Sequence, residues 1–509
     1  MKQKPFYPSK ISPPSLSAVF PRERLYRLFD PLGNRRAIWV IGPPGAGKTT
    51  LVSGYLESRK VDGIWYQVDG GDADPASFFY YLGLAAKQAA PRIRRPLPLL
   101  TPEHLPGVVV FSQRYFEALS ARFSRPFVLV FDNYQEVSVD APLHEALREG
   151  LKRIPERGRA IVVSRALPPS CFASLQANGE MAVIGWEELR FTEPETRGMI
   201  ALRESRTISA GEVRSLKEKT DGWAAGIVMM WEWAKAKKSE LKELPGNLSE
   251  SVFDYFAGEI FDKLDPNVQG ALLQTALLSR MTARMAEKLT GSRMIESILA
   301  EWSRSHFFVD ERAGEGRVYE YHALFREFLL ARGKNRLSPG TLNQIQHRAA
   351  TILEGTGRLE DAVDLYQEAG DWSAVERVVL REAPTFIAQG RNQTLEGWIG
   401  RLPKAITDAN PWLLYWSGVC RLPFNTRDSQ ARLKEAFRIF DEKGDALGLF
   451  LAWSKIVEAI GHELSDIKRL DEWIPRLEAL RREYPTYPSV QIERQVASQM
   501  FMALALRQP

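Results

Sequence analysis

Residues 42–50 read Gly-Pro-Pro-Gly-Ala-Gly-Lys-Thr-Thr, the pattern G-x-x-x-x-G-K-[ST] of a phosphate-binding loop. Few motifs constrain a fold as tightly, because this one works only between a buried strand and the first turn of a helix. Both flanks are present. Ala37–Ile41 is an apolar run suited to a parallel strand, and Thr50–Glu57 reads as a helix. The chain is therefore expected to build an α/β sheet with this loop at the C-terminal edge of its strands.

The residue types suit the chemistry. Glycines let the backbone bend tightly and turn successive N–H groups toward a polyphosphate. The helix start adds free N–H donors and partial positive charge. Gly42, Pro43, Gly45, Ala46, Gly47, Lys48, Thr49 and Thr50 are the candidate nucleotide contacts. Lys48 is expected to reach the β and γ phosphates, and the Thr49 hydroxyl to ligate Mg²⁺.

A chain of 509 residues is too long for one core, and length alone suggests about three or four domains. Hydrophobic residues at 44% and charged ones at 26% exclude a disordered or fibrous protein. The two cysteines, Cys171 and Cys420, supply no disulfide framework, and six scattered histidines suggest no metal site. That cysteine usage fits a reducing cytoplasm, and no signal peptide and no transmembrane run are legible. A net charge of +5 leans only weakly toward anionic partners, and Arg92-Ile93-Arg94-Arg95, between prolines, reads as a solvated loop.

Taken in order, residues 1–30 read as a Pro/Ser-rich arm ending in a short helix, Pro21–Phe29. Residues 31–190 alternate strands and helices, the pattern of a nucleotide-binding α/β domain. Within them Phe127–Asp132 is an apolar run ending in a carboxylate, a Walker B strand whose Asp132 would hold Mg²⁺ directly or through water. Arg159–Arg165 is a further buried strand ending at the same edge. Arg165 there could sense a γ phosphate, or be a plain surface arginine at a strand end. Gly185–Arg190 is expected as the last strand. Residues 191–245 are helical, broken at Asp221-Gly222 and ending in a polar linker, Lys242–Ser249. Residues 246–335 read as helices followed by a hairpin with the turn Arg312–Gly316, a winged helix without a basic recognition helix. Residues 336–509 read as a TPR-like α-superhelix of irregular period. Trp412, Trp416 and Trp453 read there as core aromatics. The expected fold is thus an α/β P-loop NTPase domain, an all-α helical domain, a winged helix and a TPR-like superhelix.

Several stretches together resemble the regulatory ATPases of the STAND class, specifically the large activators of the MalT/LuxR-like type. They are Phe20–Leu25, Gly42–Thr50, Trp65–Asp72, Phe131–Tyr134, Val163–Arg165, Leu189–Thr192, Asp221–Trp223 and Tyr321–Leu329, in family order over roughly residues 10–335. The resemblance implies a switch, closed with ADP and self-associating when an effector binds the superhelix and ATP is present. It implies that Arg22 and Gly222 line the adenine side and that His322 reaches the ADP phosphates from the winged helix. A histidine that merely packs within that domain is the alternative.

The chain departs from the family pattern in four places. Asn133 stands where relatives often have a second acid, and an amide cannot act as a general base, which puts hydrolysis in doubt. Gln135-Glu136 replaces a common histidine; Glu136 could orient water or be an exposed helix-start residue. Ala224 replaces a proline after Gly222-Trp223. No LuxR-type helix-turn-helix is legible before residue 509, so any DNA contact is expected through a domain outside this chain. Two further readings stay open: a scaffold that holds ADP permanently, and a defence or signalling NTPase that recruits a protein without DNA.

Overall fold

A computed structural model describes residues 9–14, 19–30, 35–93, 95–202, 208–237, 257–258, 261–304, 308–312, 317–463 and 467–507. Five strands form one parallel sheet: β1 (Ala37–Ile41), β2 (Asp62–Gln67), β3 (Phe127–Asp132), β4 (Gly158–Ser164) and β5 (Met181–Ile184), in the order β2-β3-β4-β1-β5. Strands of such a sheet are covered on both faces, which is why they read as continuous apolar runs rather than alternations. β3 is buried along its whole length. The covering helices include α1 (Glu23–Phe29), α2 (Lys48–Arg59), α3 (Pro75–Ala89), α4 (Val108–Ser120) and α5 (Leu143–Leu151). Leu25, Phe29, Tyr55, Val52, Ile38 and Val130 share one core cluster beneath the first two of these helices.

Register decides the site. Gln67 lies opposite Asp132, and Ile41 opposite Ser164, so the chain leaves β1, β3 and β4 along one edge. That edge carries the phosphate loop, Asp132 and Arg165.

The last strand differs from expectation. It is Met181–Ile184, whereas Trp186–Leu189 forms a single helical turn. Glu188 reaches back to accept the Gly185 N–H at 2.9 Å, which caps that turn and outweighs the apolar look of the segment.

Three helices follow the sheet: α8 (Glu193–Ala201), α9 (Ala210–Thr220) and α10 (Ala224–Lys237), numbering the short helices Ala173–Ala177 and Trp186–Leu189 as α6 and α7. Thr192 with Glu195, and Ser209 with Glu212, form capping boxes that start α8 and α9. The break at Asp221-Gly222 is real: both have positive φ, 51° and 72°. The expected linker Lys242–Ser249 and the turn residues Ala313–Gly316 lie outside the described residues.

The winged helix consists of helices Pro266–Thr275, Ala283–Thr290 and Met294–Arg304 and an antiparallel sheet β6-β8-β7, followed by the helix Ala323–Arg336. β7 (Val309–Arg312) and β8 (Val318–Tyr321) form the expected antiparallel pair, but Arg312, expected in the turn, is the last residue of β7, where it pairs with Val318. β6 (Met281–Thr282), at two residues, is too short to leave a periodic signal in the sequence.

The chain divides into two compact units, residues 1–98 with 107–365, and residues 99–106 with 366–509. The helical array expected from residue 336 is split by this division, its first helix, Pro339–Gly355, belonging to the first unit. The second unit is a run of helices from Trp372–Ala388 to Val490–Arg507. Trp453 is core, as expected, fully buried and donating Nε1–H to the Trp473 carbonyl at 2.7 Å, whereas Trp412 and Trp416 are partly buried at the edge of the same core, Trp412 on Phe440.

Candidate functional site: a phosphate loop clamped by two modules

Gly45 and Gly47 hold φ of 73° and 77°, the left-handed region that glycine enters without cost. α2 then starts at Lys48 without any side-chain cap, so its first N–H groups remain available to a ligand. Lys48 Nζ donates to the loop's own carbonyls, Gly42 at 2.7 Å and Pro43 at 2.9 Å. Burial, helped by the charge of Arg165 and opposed by Asp132, pushes its pKa down to about 8. A buried ammonium in that state lacks a full counter-charge. Thr49 Oγ1 donates to Asp132 Oδ1 at 3.0 Å, and the Asn133 N–H donates to the same oxygen at 3.1 Å. Asp132 Oδ2 is buried with no partner. Burial raises the Asp132 pKa, against the nearby Arg312 charge and the Thr49 hydrogen bond.

Two other modules close on the loop. From the helical module, Trp223 Nε1 donates to the Pro44 carbonyl at 2.8 Å, and the Ala225 N–H donates to the Gly45 carbonyl at 3.0 Å. From the winged helix, His322 stands over the loop: a Cβ added at Gly45 would lie 3.1 Å from His322 Cε1 and 2.6 Å from the Ala225 methyl. Its backbone N–H donates to the Phe308 carbonyl, which fixes the start of the helix Ala323–Arg336. Burial lowers the His322 pKa, and the charges of Arg165 and Lys48 add to that while Asp310 opposes it. The ring is neutral at pH 7. Arg165 has its N–H on Gln135 Oε1 at 3.1 Å and its guanidinium 3.6 Å from the Glu327 carboxylate of the winged helix. Glu136 is exposed and accepts from Gln135 Nε2, the plain reading of that residue.

Two adjoining cavities result, sharing Val19, Gly45, Gly47, Thr50, Asp310 and His322. One is polar, lined further by Lys48, Thr49, Asp132, Asn133, Arg165 and Arg312. The other is largely apolar, lined by Phe20, Tyr26, Leu51, Phe191, Met199 and Met229 among others. A polyphosphate fits the first and a planar base the second.

Most candidate residues meet here. Arg22 lines the apolar cavity, but its guanidinium is committed to protein. It donates to the carbonyls of Leu189 and Arg190 at 2.8 and 3.0 Å and to Glu195 at 3.0 Å, and it lies over the Phe191 ring at 4.0 Å. It shapes the wall rather than offering a free donor. Gly222 does not line either cavity. It backs Phe191, whose N–H donates to the Gly222 carbonyl at 2.9 Å, and a Cβ there would meet the Phe191 carbonyl oxygen at 2.7 Å. Gly42 and Pro43 serve through their carbonyls. Asp310, Arg312 and Glu320 are not legible as site residues in the sequence, where Arg312 reads as the start of the hairpin turn and the other two as single charges in short strands.

The residues fit a Mg²⁺–nucleotide. The glycine cradle would be filled by a Cβ, Asp132 keeps an orphaned buried oxygen, and Lys48 turns to loop carbonyls in place of an anion. Among the described residues no group of three His, Cys, Asp or Glu could hold a metal alone, so Thr49 and Asp132 would need phosphate oxygens to complete a Mg²⁺ shell.

Residues 257–341 match the model of the MalT winged helix domain. The chain is 29% identical over 423 residues to the HTH-type transcriptional regulator MalT of Cronobacter sakazakii and 28% identical over 422 residues to that of Yersinia enterocolitica. Each match takes in 80% of this chain and 45% of the relative, so the chain spans about half the length of the curated relatives it matches. In fold it is similar, with a TM-score of 0.67 at 13% identity, to a STAND protein with a tetratricopeptide repeat sensor from Pyrococcus horikoshii, over 99% of this chain and 70% of that one. The chain is thus similar to MalT in sequence, most specifically in its winged helix, and shares its fold with the STAND neighbour.

Proposed function

We propose that the chain is the nucleotide-dependent switch of a MalT-like transcriptional regulator, closed with ADP and opening for self-association when ATP and an effector bind. The single observation carrying this is that three modules meet on one phosphate loop, through Trp223 to Pro44, Ala225 to Gly45, and His322 over Gly45. A ligand held at that junction touches all three, so it can favour one arrangement by its differential affinity. A Mg²⁺ ion held by Thr49 and Asp132 would neutralise phosphate charge there.

In this reading the N–H groups at the start of α2 and Lys48 hold the phosphates, Thr49 and Asp132 hold the metal, and Arg165 answers to the γ phosphate. Arg22 orients Phe191 against the base. His322, neutral, donates one ring N–H to a phosphate oxygen. Asn133 cannot take a proton from water, so turnover is slow and the switch runs on occupancy. The effector, a small molecule or a protein, binds the helical array, and DNA contact belongs to sequence outside this chain. Among the described residues no helix is long and apolar enough to cross a membrane, and the reading places the protein in the cytoplasm.

The experiment is to denature the purified chain, identify the released nucleotide by chromatography, and follow its exchange with ATP. ADP that exchanges slowly, and is absent from Lys48→Ala, is expected. A nucleotide-free wild type that takes up neither ADP nor ATP sinks the proposal. ADP that never exchanges favours the permanent scaffold instead.

A further inference from the structure

Residues 9–14 of the N-terminal arm begin on the nucleotide-binding domain and end on the winged helix. The helical turn Ser9–Ile11 packs on β2 and α3, with Ile11 buried. Lys10 Nζ lies 2.7 Å from Asp69 and 2.9 Å from Asp72, and over the rings of Tyr66 and Tyr81 at 5.4 and 5.0 Å. Burial opposes its charge, yet the carboxylates of Asp72 and Asp69 outweigh burial and hold the ammonium above its ordinary pKa. Such a lysine is an anchor. Withdrawing it strips the fully buried Asp72 of its counter-charge.

Further along, the segment changes hosts. The Pro14 carbonyl accepts from Ser53 Oγ of α2 at 3.3 Å, and the Pro14 backbone pairs antiparallel with Arg312 of β7. β7 is an outer strand of the sheet β6-β8-β7, so the bridge lies on an edge that can accept an added strand. Arg312 is itself fixed, because its Nε–H and that of Arg280 both donate to Glu320, at 2.6 and 3.2 Å. Pro14 and Arg312 line the phosphate cavity together. One short segment therefore joins α2, the helix that starts at the phosphate loop, to the strand that walls the cavity from the other side. Its anchors are all protein groups, so it favours the packed arrangement whichever nucleotide is bound.

We propose that residues 9–14 are a strap that holds the winged helix on the nucleotide-binding domain, anchored by Lys10, and that opening requires its release. The proposal rests on the switch reading above and adds to it an element that sets how readily the modules part.

The test measures how fast a fluorescent ADP analogue leaves the protein on displacement with excess ADP. Wild type is compared with a chain beginning at residue 15, with Lys10→Met, and with Leu147→Ala, which removes buried packing from α5, a helix that packs against α4. Thermal midpoints of the nucleotide-free proteins serve as the folding control. Without the strap the analogue is expected to leave about tenfold faster, because the closed arrangement that retains it is less populated. Lys10→Met is expected to do the same, and it replaces the shortened chain if that chain does not fold. Leu147→Ala is expected to lower the midpoint and leave the release rate within about twofold of wild type. An unchanged rate in a folded strap variant overturns the proposal and leaves nucleotide binding intact. Equal acceleration by Leu147→Ala also overturns it, since the segment would then act through general stability. A wild type that takes up no ADP analogue overturns the switch reading, and the proposal with it.

Discussion

The indole of Trp223 donates to the carbonyl of Pro44 at 2.8 Å, fastening the start of α10 to the crest of the phosphate loop. With the Ala225 N–H on the Gly45 carbonyl at 3.0 Å, it ties the helical module to that loop. Trp223→Phe keeps the ring and removes the donor, at a cost of about 1–2 kcal/mol. A fluorescent ADP analogue is expected to leave the variant about tenfold faster than wild type, measured by displacement with excess ADP.

Asp132 offers one oxygen to Thr49 and Asn133 and keeps the other free. Asp132→Asn removes the charge that a cation needs. Wild type is expected to bind ATP about tenfold more tightly in Mg²⁺ than in EDTA, and the variant to show no such difference. A variant that keeps the full metal dependence would remove Asp132 from the metal site.

Gly222 sits at φ 72° against the Phe191 backbone, with no space for a methyl group. Gly222→Ala combines a left-handed backbone with a 2.7 Å contact on a carbonyl oxygen and is expected to destabilise the first unit by about 2–4 kcal/mol. Urea unfolding followed by tryptophan fluorescence measures it. Weaker nucleotide binding should accompany it, since Phe191 forms the wall against which Arg22 stacks.

Lys10 of the N-terminal arm is paired with Asp72 at 2.9 Å and Asp69 at 2.7 Å, and Tyr66 donates to Asp72 at 2.6 Å. Burial, with the Asp69 charge, raises the Asp72 pKa to about 6 although Lys10 pulls it down. A carboxyl raised in the folded state contributes stability that is complete below its unfolded pKa of about 3.9 and is lost as pH rises through about 6. Lys10 offsets that loss at neutral pH. Lys10→Met is therefore expected to cost about 3–5 kcal/mol at pH 7.5, and less than half as much at pH 5, where Asp72 can stay protonated. A pH-independent difference in urea midpoint between variant and wild type would show that the pair's charge is not what holds the arm.

Much of the site is legible in the sequence. A P-loop is local: a strand, a glycine turn and a helix start lie within fifteen or so residues, and their chemistry depends on backbone N–H groups that sequence spacing places. The Walker B aspartate, the break at Asp221-Gly222 and the core role of Trp453 follow from equally local patterns. The strand at Met181–Ile184 was misplaced by a few residues because a side-chain cap at Gly185 competes with apolar periodicity over a very short window.

What tertiary structure alone decided is which distant residues share the cavity. Arg312 reads in the sequence as the first residue of a hairpin turn and Glu320 as a charge in a short strand, and nothing local says that they share a cavity with Asp132 of a different module. Arg22 belongs to a matching motif, yet its role as a support for Phe191 depends on Glu195 and two carbonyls far along the chain. Periodicity reports whether a side chain faces inward; it carries no information about what it faces. The sequence determined the chemistry of the phosphate loop, since that chemistry is a property of the local backbone. The fold decided the clamp upon it, because burial of a charge and the identity of its partner exist only after the modules have packed.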